Sequence, residues 1–371
     1  MAVPVLKPAR RGKPPGAVRA LAERVLKKTF SGLRKVGLVE PEIAPIITDK
    51  NGKQSIRMPG VGLLLFDAEL EENVPVKATI KETGRVITVL RNSEFGTLQI
   101  KQIFDQGGQG KVCEAVIMET GEIVAVKFRS WSGQQNSDLF KRQIEVLEML
   151  NPSPHIVNLL AFDPSPEPIY YVMELLEGDS LRASYFKREH LEANPPDIAQ
   201  MIGYARSVIF GLADAKRKGL QILDCKESNT IVINVDGKEM AVLIDLETWD
   251  FLETPSFSEA GSTLQTPGYS APESIKEFDL LPVEPNMDIF STGIVLFHLL
   301  AGHSPGEKLD FVNRAQHSPL PEIAFIPDDV MLVLREMTAI EPCLRLSHVE
   351  ADASLAELEV KYAAASRAVA A

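Results

Sequence analysis

The chain has 371 residues, 45% of them hydrophobic, which suits one large bilobal domain or two to three packed units and lies well outside the composition of disordered proteins. Its formal net charge of -12 argues against a dedicated nucleic-acid binder, because neutralising phosphates takes concentrated Lys and Arg. Cys113, Cys225 and Cys343 are far apart and form no CxxC or Cys/His cluster, so neither a disulfide framework nor a zinc site is expected and a reducing compartment is the simplest setting.

Residues 1–36 carry basic side chains from Lys7 to Lys35 against one acid, Glu23, and Val18, Leu21, Val25, Phe30 and Leu33 recur at roughly helical spacing. The pattern predicts a basic amphipathic helix, which either lies on an acidic membrane surface or docks on the main body with its basic face in water. No apolar run approaches the roughly 20 residues of a spanning helix. The beginning also lacks the apolar stretch of a signal peptide. The expected location is cytoplasmic, or that of a secreted effector if the chain is a trimmed form.

Residues 37–95 predict a β-rich extension, with strands at 60–66, 76–80 and 85–90 and turn chemistry at Lys81-Glu82-Thr83-Gly84. Three more strands follow at 98–104, 111–118 and 123–128. The first two flank Asp105-Gln106-Gly107-Gly108-Gln109-Gly110-Lys111-Val112, whose glycines let the backbone approach a phosphate closely. Glu119-Thr120-Gly121-Glu122 reads as a plain hairpin turn, and Lys127 is the one charge in Val124-Ala125-Val126-Lys127. A helix over 142–150 places Ile144, Leu147 and Leu150 on one face, with Glu145 and Glu148 elsewhere. Buried strands are predicted at 155–160 and 169–173, a connector at 174–179, a long helix at 195–218 and a short strand at 241–245. From about residue 269 the text is mostly helical, broken at Pro282, Pro305 and Pro319.

The stretch Asp224-Cys225-Lys226-Glu227-Ser228-Asn229 sits between a helix-like and a strand-like segment. Its carboxylate can accept a hydroxyl proton, its ammonium can offset phosphate charge, and its amide oxygen can ligate a metal ion. Together with the glycine loop, Lys127 before it and Asp245 after it, the stretch resembles the protein-kinase family over residues 96–362. The resemblance implies an α+β bilobal fold with an N-lobe at 96–173, a hinge at 174–179, a C-lobe at 180–362 and a tail at 363–371. It implies that Gly107, Gly110, Val112 and Ala125 frame ATP. Lys127 would hold its α- and β-phosphates and pair with Glu145, or failing that Glu148. Glu174 and Leu176 would offer hinge backbone groups and Asp179 would lie near the ribose. Asp224 would be the proton acceptor, Lys226 the phosphate contact, and Asn229 and Asp245 the Mg2+ ligands. Thr266-Pro-Gly-Tyr-Ser-Ala-Pro-Glu273 resembles the end of an activation segment, Asp288-Ile-Phe-Ser-Thr-Gly293 resembles the buried helix beneath it, and Arg345 is placed to pair with Glu273. Trp249 reads as core.

The family pattern is broken in four places. Asp105 stands at the first glycine position of the loop, where a carboxylate would repel phosphates unless it points away. Ile222-Leu223 replaces the His-Arg that precedes the catalytic acid, so a phosphorylated activation loop would lack its usual partner and packing would have to fix the loop. Asp245-Leu246-Glu247 replaces Asp-Phe-Gly, and the connection Asn234 to Glu239 reads as longer than the family's tight turn. The function implied is that of an atypical Ser/Thr-type kinase that moves the ATP γ-phosphoryl group to a protein hydroxyl; the alternative is a pseudokinase that serves as a binding module. The order of basic helix, β extension and degenerate kinase domain also loosely resembles the secreted rhoptry kinases of apicomplexan parasites.

Overall fold

Alternating apolar residues build most of one sheet before the first long helix begins. In the computed structural model, residues 43–92, 96–107, 110–129, 135–165, 168–185, 196–246, 249–251, 266, 268–274, 286–301 and 320–370 are described; the expected basic helix at 1–36 lies outside them. Ten strands pair antiparallel: β1 (Ile46–Thr48), β2 (Gln54–Met58), β3 (Gly62–Phe66), β4 (Val76–Ile80), β5 (Val86–Asn92), β6 (Gly96–Gly107), β7 (Gly110–Ile117), β8 (Ile123–Arg129), β9 (Leu159–Phe162) and β10 (Tyr170–Glu174). Their order is β1 to β8 in sequence, then β10 and β9. Helix α1 (Gln135–Leu150) connects β8 to β9. Of the strands expected around 155–160, only the second half forms one; Ile156 instead makes a single bridge to Leu243.

The extension therefore continues the sheet of the N-terminal lobe, because β5 is hydrogen-bonded to β6 from Thr88–Ile100 to Asn92–Gly96. Its inner face packs Ile56, Leu64, Phe66, Ala78 and Val89 against Met118 from the turn after β7. A second cluster, on β5 to β10, holds Leu90, Leu98, Ile117, Val126 and Tyr170. A polar knot ties the two parts: the Tyr170 hydroxyl donates to Asn73 Oδ1 and accepts from Asn92 Nδ2. Both predicted turns form, with Gly84 at φ 69° and Gly121 at φ 78°, a left-handed conformation that costs glycine nothing. At the connection after Asn234 the structure corrects the expectation. Val235 pairs with Lys238, so Asp236 and Gly237 alone make the turn, at φ 53° and 85°, which is a tight hairpin.

The helical half comprises α2 (Leu181–Tyr185), α3 (Ile198–Arg217), α4 (Met287–Ala301), α5 (Asp328–Met337) and α6 (His348–Ala370). Asp197 caps α3 by accepting from the Ala199 and Gln200 amides. Every residue of α4 is buried, including Asp288 and His298, and the apolar run at Ile294–Leu300 belongs to this central helix. Among the described residues no helix is long and apolar enough to cross a membrane. Two small sheets line the approach to the lobe junction: β11 (Gly178–Ser180), β13 (Thr230–Val235) and β14 (Lys238–Leu243) in one, β12 (Leu220–Ile222) and β15 (Trp249–Phe251) in the other. Trp249 is core, paired with Ile222 and covered by the Arg142 guanidinium 4.9 Å from its ring.

His155 packs on Phe210 at 5.3 Å, and its Nδ1 is buried without a hydrogen-bond partner among the described residues. Burial pushes its pKa down from 6.5 to about 4, partly offset by a bond to the Ala241 backbone. The folded protein thus keeps this ring neutral where the unfolded chain protonates it. Stability from this group is complete above pH 6.5 and is lost as pH falls toward 4. Between pH 7 and pH 5 this loss amounts to about 2 kcal/mol, at ~1.4 kcal/mol per pKa unit. Urea unfolding of wild type and His155→Gln at both pH values is expected to show their stability gap narrow by that amount on acidification; a constant gap would remove the assignment.

Candidate active site

Lys127 lies on β8 directly across from Val112 on β7, and Ala125 is two residues before it, so the three share one face. The pairing of β6 with β7 continues to Gly107 opposite Gly110, so the glycine stretch closes this hairpin. The side chain of Asp105 and residues 108–109 lie outside the described parts. On the other side of β8, Met173 and Glu174 of β10 pair with Ala125 and Val124, so the hinge begins beside the same face. Glu174 spends its N–H on the Asn158 carbonyl, and its side chain accepts from the Asn158 amide and Nδ2 at 2.8 and 2.7 Å. Burial pushes the Glu174 carboxyl up to about 7 against these bonds. Leu176 is half-buried against the core, and exposed Asp179 sits on β11 opposite Val232.

Lys127 is 5% exposed, and its Nζ lies 3.3 Å from Asp245 Oδ1. The same carboxylate oxygen accepts from Gln143 Nε2 at 2.9 Å. Here the sequence expectation is corrected: Glu145 is exposed, as is Glu148, and the α1 side chain that reaches the centre is neutral Gln143. Helical geometry gives the reason. Positions 143, 147 and 150 lie on one face, whereas Glu145 is two residues on, about 200° around the helix. Leu246, in place of the family's Phe, is 1% exposed in the main apolar core, and Glu247 is outside the described residues.

A second cluster lies one strand-end away. Ile244 N–H donates to the Asn229 carbonyl where β13 and β14 part, so Asn229 and Asp245 lie at the adjoining ends of these two strands. Asn229 Nδ2 donates to the Asp224 carbonyl and to Asp224 Oδ2, at 3.1 and 3.2 Å, which turns its amide oxygen away from the acid. Lys226 Nζ contacts Asp224 Oδ2 at 2.6 Å and Thr266 Oγ1 at 2.9 Å, and Thr266 Oγ1 donates to Asp224 Oδ1 at 2.7 Å. Thr266 had no role in the sequence reading; its signal was the Thr-Pro-Gly at the segment end. Cys225 faces inward, and burial and then the Asp288 and Asp224 charges hold its thiol well above the usual range, so it is no nucleophile. Glu273 and Arg345 form the expected buried ion pair at 2.6 Å.

The donor set fits a metal-bound nucleotide. Asp245 and the Asn229 amide oxygen, which accepts from Ser228 Oγ at 3.3 Å, are hard oxygen donors of the kind that suits Mg2+, and the Lys127 ammonium lies beside Asp245. Among the described residues no cluster of three or more His, Cys, Asp and Glu is placed to hold an ion, so phosphate oxygens would have to complete the shell. The arrangement offers a buried acid beside a lysine and a hydroxyl, with Asn229 and Asp245 on the adjoining segments.

That combination of a β lobe, a helical lobe and a Lys/Asp/Asn/Asp cluster at their junction is the architecture of the protein-kinase fold. Residues 98–353 match the family described as the protein kinase domain, and the chain belongs to that family. It is 27% identical over 267 residues to serine/threonine-protein kinase 33 of Mus musculus, covering 67% of this chain and 52% of that protein. It is 28% identical over 213 residues to serine/threonine-protein kinase PkaB of Streptomyces coelicolor, covering 55% and 49%. With serine/threonine-protein kinase PknL of Mycobacterium tuberculosis it shares 30% over 173 residues, covering 46% and 41%. The chain spans about half the length of the first two relatives. The family generally uses ATP and Mg2+.

Proposed function

We propose that this protein is an active, atypical Ser/Thr kinase that transfers the ATP γ-phosphoryl group to a protein hydroxyl. The observation that carries the reading is the closed set of contacts among Asp224, Lys226 and Thr266, with Asn229 and Asp245 at its edge. Bound Mg-ATP would supply the phosphoryl group and the metal charge that offsets it. Asp224 would accept the proton of the substrate hydroxyl, oriented by Asn229 and Thr266. Lys226 would neutralise charge at the transferred group, and Lys127 would hold the nucleotide phosphates from above. Val112, Ala125 and the Glu174 to Leu176 backbone would seat the adenine, and Asp179 the ribose.

A binding module with slow or no turnover is the second reading, and one observation favours it: neutral Gln143 stands at the α1 position that reaches the Lys127–Asp245 pair. Two measurements separate the readings. Mg-ATP at 100 times its Kd is expected to stabilise the protein by about 2.7 kcal/mol, visible as a rise in Tm. Radiolabelled phosphate is expected to reach a generic Ser/Thr protein substrate. No rise in Tm would end both the enzyme reading and nucleotide binding; a rise without transfer would establish the binding module.

A further inference from the structure

We infer that Glu227 is a positioning residue: it clasps the catalytic turn to the segment that presents Thr266, and so sets the site geometry without a phosphate on the activation segment. Its bearing on turnover rests on the kinase reading above. Glu227 lies between Lys226 and Asn229 and is 1% exposed, yet both of its carboxylate oxygens are engaged. The Tyr269 hydroxyl donates to Oε2 at 2.6 Å, and His298 Nδ1 meets Oε1 at 2.7 Å. The two rings meet edge to face at 5.2 Å. Three elements thus converge on one carboxylate: the turn Glu227–Asn229, the stretch 266–273 and helix α4.

Tyr269 is itself fixed at both ends of its backbone. Its N–H donates to the Thr266 carbonyl at 3.2 Å, and its carbonyl accepts from Ser291 Oγ at 2.8 Å. Displacing the tyrosine therefore displaces Thr266, whose hydroxyl holds Asp224 and Lys226 in place. A carboxylate buried this deeply is costly unless its bonds are made, so an acid here has a use that an apolar residue would not serve. Leu223, buried immediately before Asp224, offers no charge to grip a phosphorylated loop, and the clasp supplies the missing fastening from the opposite side of the acid.

The test uses the full chain. Glu227→Gln and Tyr269→Phe are compared with wild type by hydrogen exchange and by steady-state phosphorylation of a protein substrate, before and after phosphatase treatment. Amides of residues 268–271 are expected to exchange about tenfold faster in both variants, with protection of β6 to β8 unchanged. The kcat is expected to fall about 10- to 100-fold while KM for ATP changes less than about twofold, because the displaced groups act on transfer and not on nucleotide binding. Phosphatase is expected to leave the wild-type rate unchanged. Unaltered exchange at 268–271, loosening spread evenly over the chain, or loss of wild-type rate on dephosphorylation would each overturn the proposal. If wild type transfers no phosphate, the kinase reading fails, and the local exchange result decides the clasp by itself.

Discussion

Asp224→Ala is expected to lower kcat for protein phosphorylation about a thousandfold, within the range of a positioned proton acceptor. The substitution removes the carboxylate that Lys226, Thr266 and Asn229 all contact, so the lysine loses its counter-charge and the threonine its acceptor. Nucleotide binding should survive, because Asp224 holds Lys226, Thr266 and Asn229, while Asp245 takes Lys127 and Gln143. The Mg-ATP rise in Tm is therefore retained while transfer is lost, and Asp224→Asn, which keeps the shape and two of the bonds, loses transfer almost as fully. Transfer within tenfold of wild type in either variant would show that the proton leaves by another route.

Arg345→Met is expected to destabilise the fold by about 3–5 kcal/mol, the cost of leaving one member of a buried ion pair without its partner. Both Arg345 nitrogens meet Glu273, at 2.6 and 3.0 Å, and the same guanidinium donates to the Ala339 carbonyl from two nitrogens and lies 5.2 Å above the Phe290 ring. The Arg345 side chain is fully buried, so no water replaces it. Combining Arg345→Met with Glu273→Gln should recover part of the loss, since the stranded charge is gone, and urea denaturation of the four species gives the coupling directly. A single-variant loss under about 1 kcal/mol, the range of surface pairs, would mean that the pair is hydrated.

Many residues of the candidate site could be proposed in advance, because the resemblance to the kinase pattern rests on rare chemistry at fixed spacings. Lys127 stood out as the only charge in an apolar alternation, and Asp224, Asn229 and Asp245 flank a hairpin whose first strand, Thr230–Val235, is rich in β-branched residues. Glu273 and Arg345 were legible through the resemblance, which sets an arginine to pair with the acid at the segment end. Where chemical type and geometry disagreed, type misled: Glu145 has the charge that a lysine partner needs, but position 143 has the face. The contacts of Thr266 and Glu227 were hidden because their partners are about 40 or more residues away; Thr266 was marked only as part of the Thr-Pro-Gly motif, and Glu227 by nothing local. Strand β1 was missed because all three of its residues are exposed, so it shows no alternation.

The unbroken pairing of β5 onto β6 has one more consequence. A chain begun at residue 96 would bare the N–H and C=O groups of β6 from Gly96 to Ile100, with apolar Leu98 beside them, and so create a template for self-association that the intact protein keeps covered. Among the described strands β1 takes the outer position, a rung only three residues long that offers little to pair with. Strands β1 to β5 thus keep the β6 edge out of reach of a second copy.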